Sequence, residues 1–148
     1  MDKIDAEILS ILSENADITA TNLSKKINLS IPAVNKRIQN LKQCGIISRY
    51  TILTDNKKID KPITAFILII LSSMNELPDF LKYVQNERNI MECYATTGEY
   101  DCILKVAVSS VESLDKMLQQ LKTNRGVVKS YTMLSLTTHK NFPTVLPD

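Results

Sequence analysis

The sequence predicts an α+β chain in two parts, a helical N-terminal third followed by a β-α-β-β-α-β run. Three observations carry that prediction. Apolar residues recur at helical spacing as far as Leu41, then give way to β-rich runs such as ITAFILIILS at 63–72. The polar stretch TDNKKIDKP at 54–62 separates the two patterns and ends in a proline, which marks a boundary. Charge divides at almost the same place. Residues 18–54 hold six basic side chains and no carboxylate, giving +6, while the rest of the chain holds 12 basic and 16 acidic residues, giving −4. The net charge of +2 conceals that division. The expected layout is a first domain at 1–53, a linker at 54–62 and a second domain at 63–148.

Composition excludes several function classes. The three glycines, Gly45, Gly98 and Gly126, are too few and too scattered for a P-loop or a dinucleotide-binding loop. A single histidine, His139, argues against a His-based triad or a multi-His metal site. Cys44, Cys93 and Cys102 are odd in number and lack C-x-x-C spacing, so they read as reduced residues, neither disulfides nor metal ligands. The apolar run at 65–71 is far shorter than the roughly 20 residues a bilayer demands. The opening MDKIDAEIL is acidic and periodic, unlike a signal peptide. The expectation is a cytoplasmic protein with no cofactor, no metal and no catalytic residue.

In the first part, residues 2–14 form a helix with a core stripe of Ile4, Ile8, Leu9, Ile11 and Leu12, and with Asp2 and Asp5 in the first turn. Thr19 caps a second helix running to about Ile27, which buries Leu23 and Ile27 and turns Lys25 and Lys26 outward. Asn28 and Leu29 make a tight turn into a third helix. Ser30 is its N-cap, Pro32 lies in its first turn and Gly45 falls just past its end. Ile31, Val34, Ile38 and Leu41 form the buried stripe of this helix. Its other face carries Pro32, Ala33, Lys36, Gln39, Asn40 and Gln43, small then polar and cationic, without a carboxylate. A helix that enters a DNA major groove needs such a surface. The acid-free charge map favours that reading over an ordinary solvated face, because acids would be repelled by a phosphate backbone. The β-rich IISRYTIL at 46–53 reads as the wing of a winged helix-turn-helix.

The second part starts with the strand at 63–72. A helix at 76–86 buries Leu77, Phe80, Leu81 and Val84, and strands follow at 90–97 and 100–109 across a Gly98-Glu99 turn. Ser110 caps a helix to about Asn124 that buries Val111, Leu114, Met117, Leu118 and Leu121, and the last strand spans 127–137. This is the ferredoxin-like order, in which helices cover one sheet face and leave the other bare. A bare apolar sheet exposes too much hydrophobic area for a monomer, so a face-to-face homodimer is expected.

The motifs resemble the Lrp/AsnC (leucine-responsive, or feast/famine) family of prokaryotic transcription factors along essentially the whole chain. The family's D-x-x-D-x-x-I-L-x-x-L is met by Asp2, Asp5, Ile8, Leu9 and Leu12. Its recognition helix is met by Ser30, Val34, Arg37, Ile38, Leu41, Gly45 and Ile47, and its T-G-x-Y-D by Thr97, Gly98, Tyr100 and Asp101. Gly126-Val127 matches the late G-V. The sequence departs at Asp17 (commonly Arg), at Asn22-Leu23-Ser24 (commonly Glu-Leu-Ala) and at Asp60-Lys61, where a linker glycine is usual. The resemblance implies a winged helix-turn-helix joined to a domain that dimerises, often assembles to octamers, and binds an amino acid or related metabolite between dimers.

Ser30, Ile31, Pro32, Ala33, Asn35, Lys36, Arg37, Gln39, Asn40, Lys42 and Arg49, with Lys25 and Lys26, are the candidate DNA-binding residues. Ile31, Pro32, Ala33, Asn35, Lys36 and Gln39 are assigned to base edges, and Arg37, Lys25, Lys26, Lys42 and Arg49 to phosphates. Ser30 is first of all a cap. A solvated amide is the alternative for Asn35 and Gln39, and an ion pair within the helix the alternative for Arg37. Thr97, Gly98, Glu99, Tyr100 and Asp101 are the candidate effector residues, with Ser130 and Thr132 behind them. In a zwitterion site Asp101 would attract the ammonium and amides near Gly98 the carboxylate. The alternative is a plain β-turn held by Asp101. Two other functions stay open: an architectural nucleoid-type DNA-binding protein without effector, and an enzyme like the tetrapyrrole decarboxylases that share this architecture. The leading reading is a sequence-specific, effector-responsive transcriptional regulator.

Overall fold

The computed structural model describes residues 1–147. The chain divides into two compact units, Met1–Leu53 together with the residues from Lys140 on, and Thr54–His139. The C-terminal segment thus falls with the first unit, where the sequence layout had placed it with 63–148. Beyond Leu134 no helix or strand continues the second unit, and Leu146 and Pro147 are half-buried.

In the first unit, α1 (Lys3–Glu14) starts at a capping box: Asp5 N–H donates to Asp2 Oδ1 at 2.9 Å, and Asp2 N–H donates to Asp5 Oδ2 at 3.2 Å. The second helix, α2 (Ala20–Ile27), is capped by the Thr19 hydroxyl and ends at Asn28, whose φ of 53° turns the chain left-handed. Ser30 caps α3 (Ile31–Gln43), accepting from Ala33 N–H at 3.4 Å, and Gly45 at φ 74° releases it. Ile8, Leu23, Ile27, Val34 and Leu41 form the core, with Ile4, Leu9, Ile11, Leu12 and Ile38 packed around them.

Two expectations need correction here. Ile31, placed in the buried stripe, is 39% exposed, because it is the first helical residue and the core gathers around residues a turn or more later. The β-rich 46–53 segment forms no strand. Ile47 N–H returns to the Leu41 carbonyl at 3.1 Å, and the residues after it run without regular structure. β-propensity alone makes no ladder where no second strand lies alongside.

In the second unit, β1 (Ile63–Leu71), β2 (Ile90–Ala95), β3 (Cys102–Val108) and β4 (Val127–Leu134) form one antiparallel sheet in the order β2-β3-β1-β4. That order and the two helices α4 (Leu77–Asn86) and α5 (Val111–Asn124) give the expected ferredoxin-like topology. Ala65, Ile67, Ile69 and Leu71 alternate inward along β1 and meet Leu104, Val106, Phe80, Leu114, Met117 and Leu121. A 3-10 turn at Met74–Glu76 precedes α4. Leu81, expected in the core, is exposed; Tyr83 packs against the core beside Leu77, Phe80 and Val84. Val111, also expected inside, is 58% exposed, since it sits directly after the Ser110 cap. The strands are shorter than expected, and Tyr100 lies in the turn before β3.

By the same alternation, Phe66, Leu68 and Ile70 of β1 point to the face opposite the core residues. The register adds Ile103 of β3, Tyr94 of β2, and Tyr131 and Met133 of β4 to that face. Tyr94, Tyr131 and Met133 are exposed.

A cationic helix face and a pinned hairpin turn

The outward face of α3 is built by the helical repeat. With Val34 and Leu41 sealed in the core, residues 100° or more away must face water. Pro32, Asn35, Lys36, Gln39, Asn40, Lys42 and Gln43 are all exposed, and Ala33 is half-buried. Lys25, Lys26 and Arg49 are exposed as well, and among the described residues none of them, nor Lys36, has a carboxylate partner. Lys42 lies 4.7 Å from the ring of Tyr50, a cation–π contact. Tyr50 was missed by the sequence reading, although its place beside Arg49 in an acid-free stretch was a signal.

Arg37 is where the structure corrects the sequence. No acid near it was expected, yet its Nη1 donates to Asp2 Oδ2 at 2.8 Å and to Asp5 Oδ1 at 2.7 Å. The acids come from the N-cap and first turn of α1, outside the acid-free stretch at 18–54. The Asp5 carboxylate, then that of Asp2, raise the guanidinium above its usual range. Asp2 is held below the ordinary carboxylate range, first by the Asp5 N–H and then by Arg37.

In the second unit, the turn from Thr97 to Asp101 joins β2 to β3 and is fastened from three sides. Thr96 Oγ1 donates to the Tyr100 carbonyl at 2.6 Å, and Thr96 N–H to the Asp101 carbonyl at 3.0 Å. Asp101 N–H donates to the Ile69 carbonyl, and Leu71 N–H donates to Asp101 Oδ2, both at 2.8 Å. Asp101 therefore holds the backbone of β1, where the plain-turn alternative had it holding the turn itself. Gly98 has φ 101° with open space where a side chain would stand. Among the described residues, no protein acceptor takes the amides of Gly98, Glu99 and Tyr100.

Glu99 pairs with Lys129 at 2.8 Å, and Lys129 also lies 6.0 Å from the Tyr100 ring centre. Lys129 was missed, because only the register of β4 brings it to the turn. Ser130 and Thr132 stand opposite Ile69 and Ile67, so they lie on the helix-covered face, half-buried. Neither makes a side-chain hydrogen bond to the turn among the described residues. Cys102 is buried and its thiol is pushed up to about 11, chiefly by burial; that of half-buried Cys93 is raised for the same reason. Among the described residues, no group of His, Cys, Asp and Glu could hold a metal ion, and no helix is long and apolar enough to cross a membrane.

Known proteins share both halves of this arrangement. Residues 1–48 match the winged helix-turn-helix DNA-binding family, and residues 64–145 match the Lrp/AsnC ligand binding domain. The transcriptional regulator AzlB of Bacillus subtilis is 36% identical over 143 residues, covering 95% of this chain and 91% of its own. The HTH-type transcriptional regulator FL11 of Pyrococcus abyssi is 30% identical over 140 residues, covering 95% and 92%. Among solved structures, a transcriptional regulator of Neisseria meningitidis in complex with L-Met superposes with a TM-score of 0.93 at 26% identity, covering 98% of this chain and 96% of that one. AsnC of E. coli gives 0.83 at 28% identity, covering 99% of each chain. A winged helix-turn-helix match followed by a ligand-binding-domain match, with such relatives along nearly the whole length, shows that the chain belongs to the Lrp/AsnC family of DNA-binding, effector-responsive transcriptional regulators.

Proposed function

We propose that α3 enters the major groove of target sites, and that an amino acid received at the Thr97–Asp101 turn modulates that binding. The observation that carries the first part is the exposed, carboxylate-free face of α3. Ile31, Pro32, Ala33, Asn35, Gln39 and Asn40 read base edges, while Lys25, Lys26, Lys42 and Arg49 hold phosphates; Lys36, first assigned to a base edge, joins the phosphate contacts because its exposed ammonium has no carboxylate partner among the described residues. The Ser30 hydroxyl caps the helix and stands beside the first phosphate. Free amides at Gly98, Glu99 and Tyr100 suit a carboxylate, and the second oxygen of Asp101 suits an ammonium. The L-Met complex of the Neisseria regulator supports an amino acid as the effector class. Two copies pair through the open sheet face, whose apolar residues need cover, and pairs assemble to octamers as the family resemblance implies. The protein works in the cytoplasm and catalyses no reaction.

Two measurements test the reading. At fixed salt, affinity for a duplex selected by the protein from a random pool is expected to exceed that for random duplex by about 10³ or more. A ratio near one would leave only an architectural DNA-binding protein. A thermal-shift screen over the twenty amino acids is expected to single out one or a few, because a ligand at about 100 times its Kd adds about 2.7 kcal/mol to apparent stability. A flat screen would rule out an amino-acid effector.

A further inference from the structure

Asp2, Asp5 and Arg37 form a closed network in which each acid serves two partners. One oxygen of each carboxylate accepts the other's backbone N–H and completes the capping box of α1, and the remaining oxygen accepts from Arg37 Nη1. Among the described residues, the hydrogen bonds of the guanidinium therefore go to the N-cap and first turn of α1. The side chains of Arg37 and Asp5 are 29% and 18% exposed, whereas Lys36, one residue earlier, is exposed. A cleft of about 410 Å³ between the start of α1 and α3 has Asp5, Arg37, Lys36 and Asn40 in its walls, so the Asp5 carboxylate stands next to side chains of the proposed DNA-facing surface.

We propose that Arg37 is a positioning residue for DNA binding, not a phosphate contact. It seats α3 on the first turn of α1 and offsets one of the two carboxylate charges that would otherwise face the phosphate backbone beside Lys36 and Asn40. Charge balance supports this division of labour. The network carries −1 as built and −2 without Arg37, and an uncompensated acid at a DNA surface is repelled. A guanidinium already held by two short charged hydrogen bonds would have to abandon both to reach a phosphate. Its neighbours Lys25, Lys26, Lys36 and Arg49 face no such competition.

The inference rests on α3 being the DNA interface, and one experiment separates the two claims. Affinity of the full chain for a random-sequence duplex is measured over a salt series for wild type, Arg37→Gln, the triple variant Asp2→Asn/Asp5→Asn/Arg37→Gln, and Lys36→Gln. Arg37→Gln is expected to weaken binding roughly tenfold, through like-charge repulsion. The triple variant is expected to return within about threefold of wild type with an unchanged salt slope, because no phosphate contact has gone. Asn at position 2 keeps a capping oxygen, so the triple variant decides the matter even if Arg37→Gln fails to fold. A triple variant that stays tenfold weak, with a slope shallower by about 0.9, would make Arg37 a phosphate contact and overturn the proposal. So would an Arg37→Gln protein that folds and binds like wild type. Lys36→Gln is expected to lower the slope by about 0.9 whichever way Arg37 falls; no change there sinks the α3 interface itself.

Discussion

Gly126 sits at φ 67°, and a Cβ there would lie 2.6 Å from Cγ of Glu76, which leaves the position to glycine on two independent grounds. Gly126→Ala is expected to destabilise the protein by about 1–3 kcal/mol, read from the denaturation midpoint, because backbone strain and overpacking each cost that order. Adding Glu76→Ala removes the Cγ and carboxylate contacts but leaves its Cβ 2.7 Å away and the φ strain in place, so the double variant should recover only part of the loss. Thiol chemistry also differs residue by residue. Cys44 is exposed, whereas Cys102 is buried with its thiol raised to about 11. Since the thiolate is the reactive form, an alkylating reagent near neutral pH should label Cys44 first and Cys102 only after unfolding. Equal labelling rates in the native protein would contradict the burial described here.

Elements show which parts of a sequence speak for themselves. The caps at Thr19, Ser30 and Ser110 were legible because a cap is a local event, settled within three residues. The sheet order was legible too, since six alternating elements leave few topologies once the period of each is known. Burial was legible only on average. Ile31, Leu81 and Val111 carry the right periodicity yet remain exposed, because each lies at a helix end or flank where nothing covers it. The 46–53 segment has strand composition without a strand partner. Arg37 failed for a related reason: its acids lie 35 and 32 residues away, beyond any helical spacing rule. At the turn, Thr97–Asp101 was found from its motif, but Lys129 came into view only with the register. One helix supplies a direct check. Phe80→Ala is expected to cost about 3–5 kcal/mol, as a sealed core aromatic should, whereas Leu81→Ala, one residue on, should cost under about 0.5 kcal/mol. Similar losses from both would mean that α4 is rotated from the orientation described.

Across the whole molecule, opposite charge has been sorted into different stretches of one chain, and apolar surface has been left on one face of one sheet. In the function proposed above, the first meets phosphates and the second meets a second copy. Tyr131 is 55% exposed on the open face, so replacing it should spare the monomer's own core. Tyr131→Asp is expected to shift the protein from dimer to monomer in sedimentation velocity with its secondary structure retained. An unchanged sedimentation coefficient would move the pairing surface elsewhere. The bond from Leu71 N–H to Asp101 reaches further than its 2.8 Å suggests. Leu71 ends the strand that carries both of the sheet's inner pairings, to β3 and to β4. A hairpin tip bolted to that strand has no hinge of its own. If the turn receives an effector as proposed above, the signal is expected to pass to the sheet as a single body, in the manner of a rigid lever and not of a closing flap.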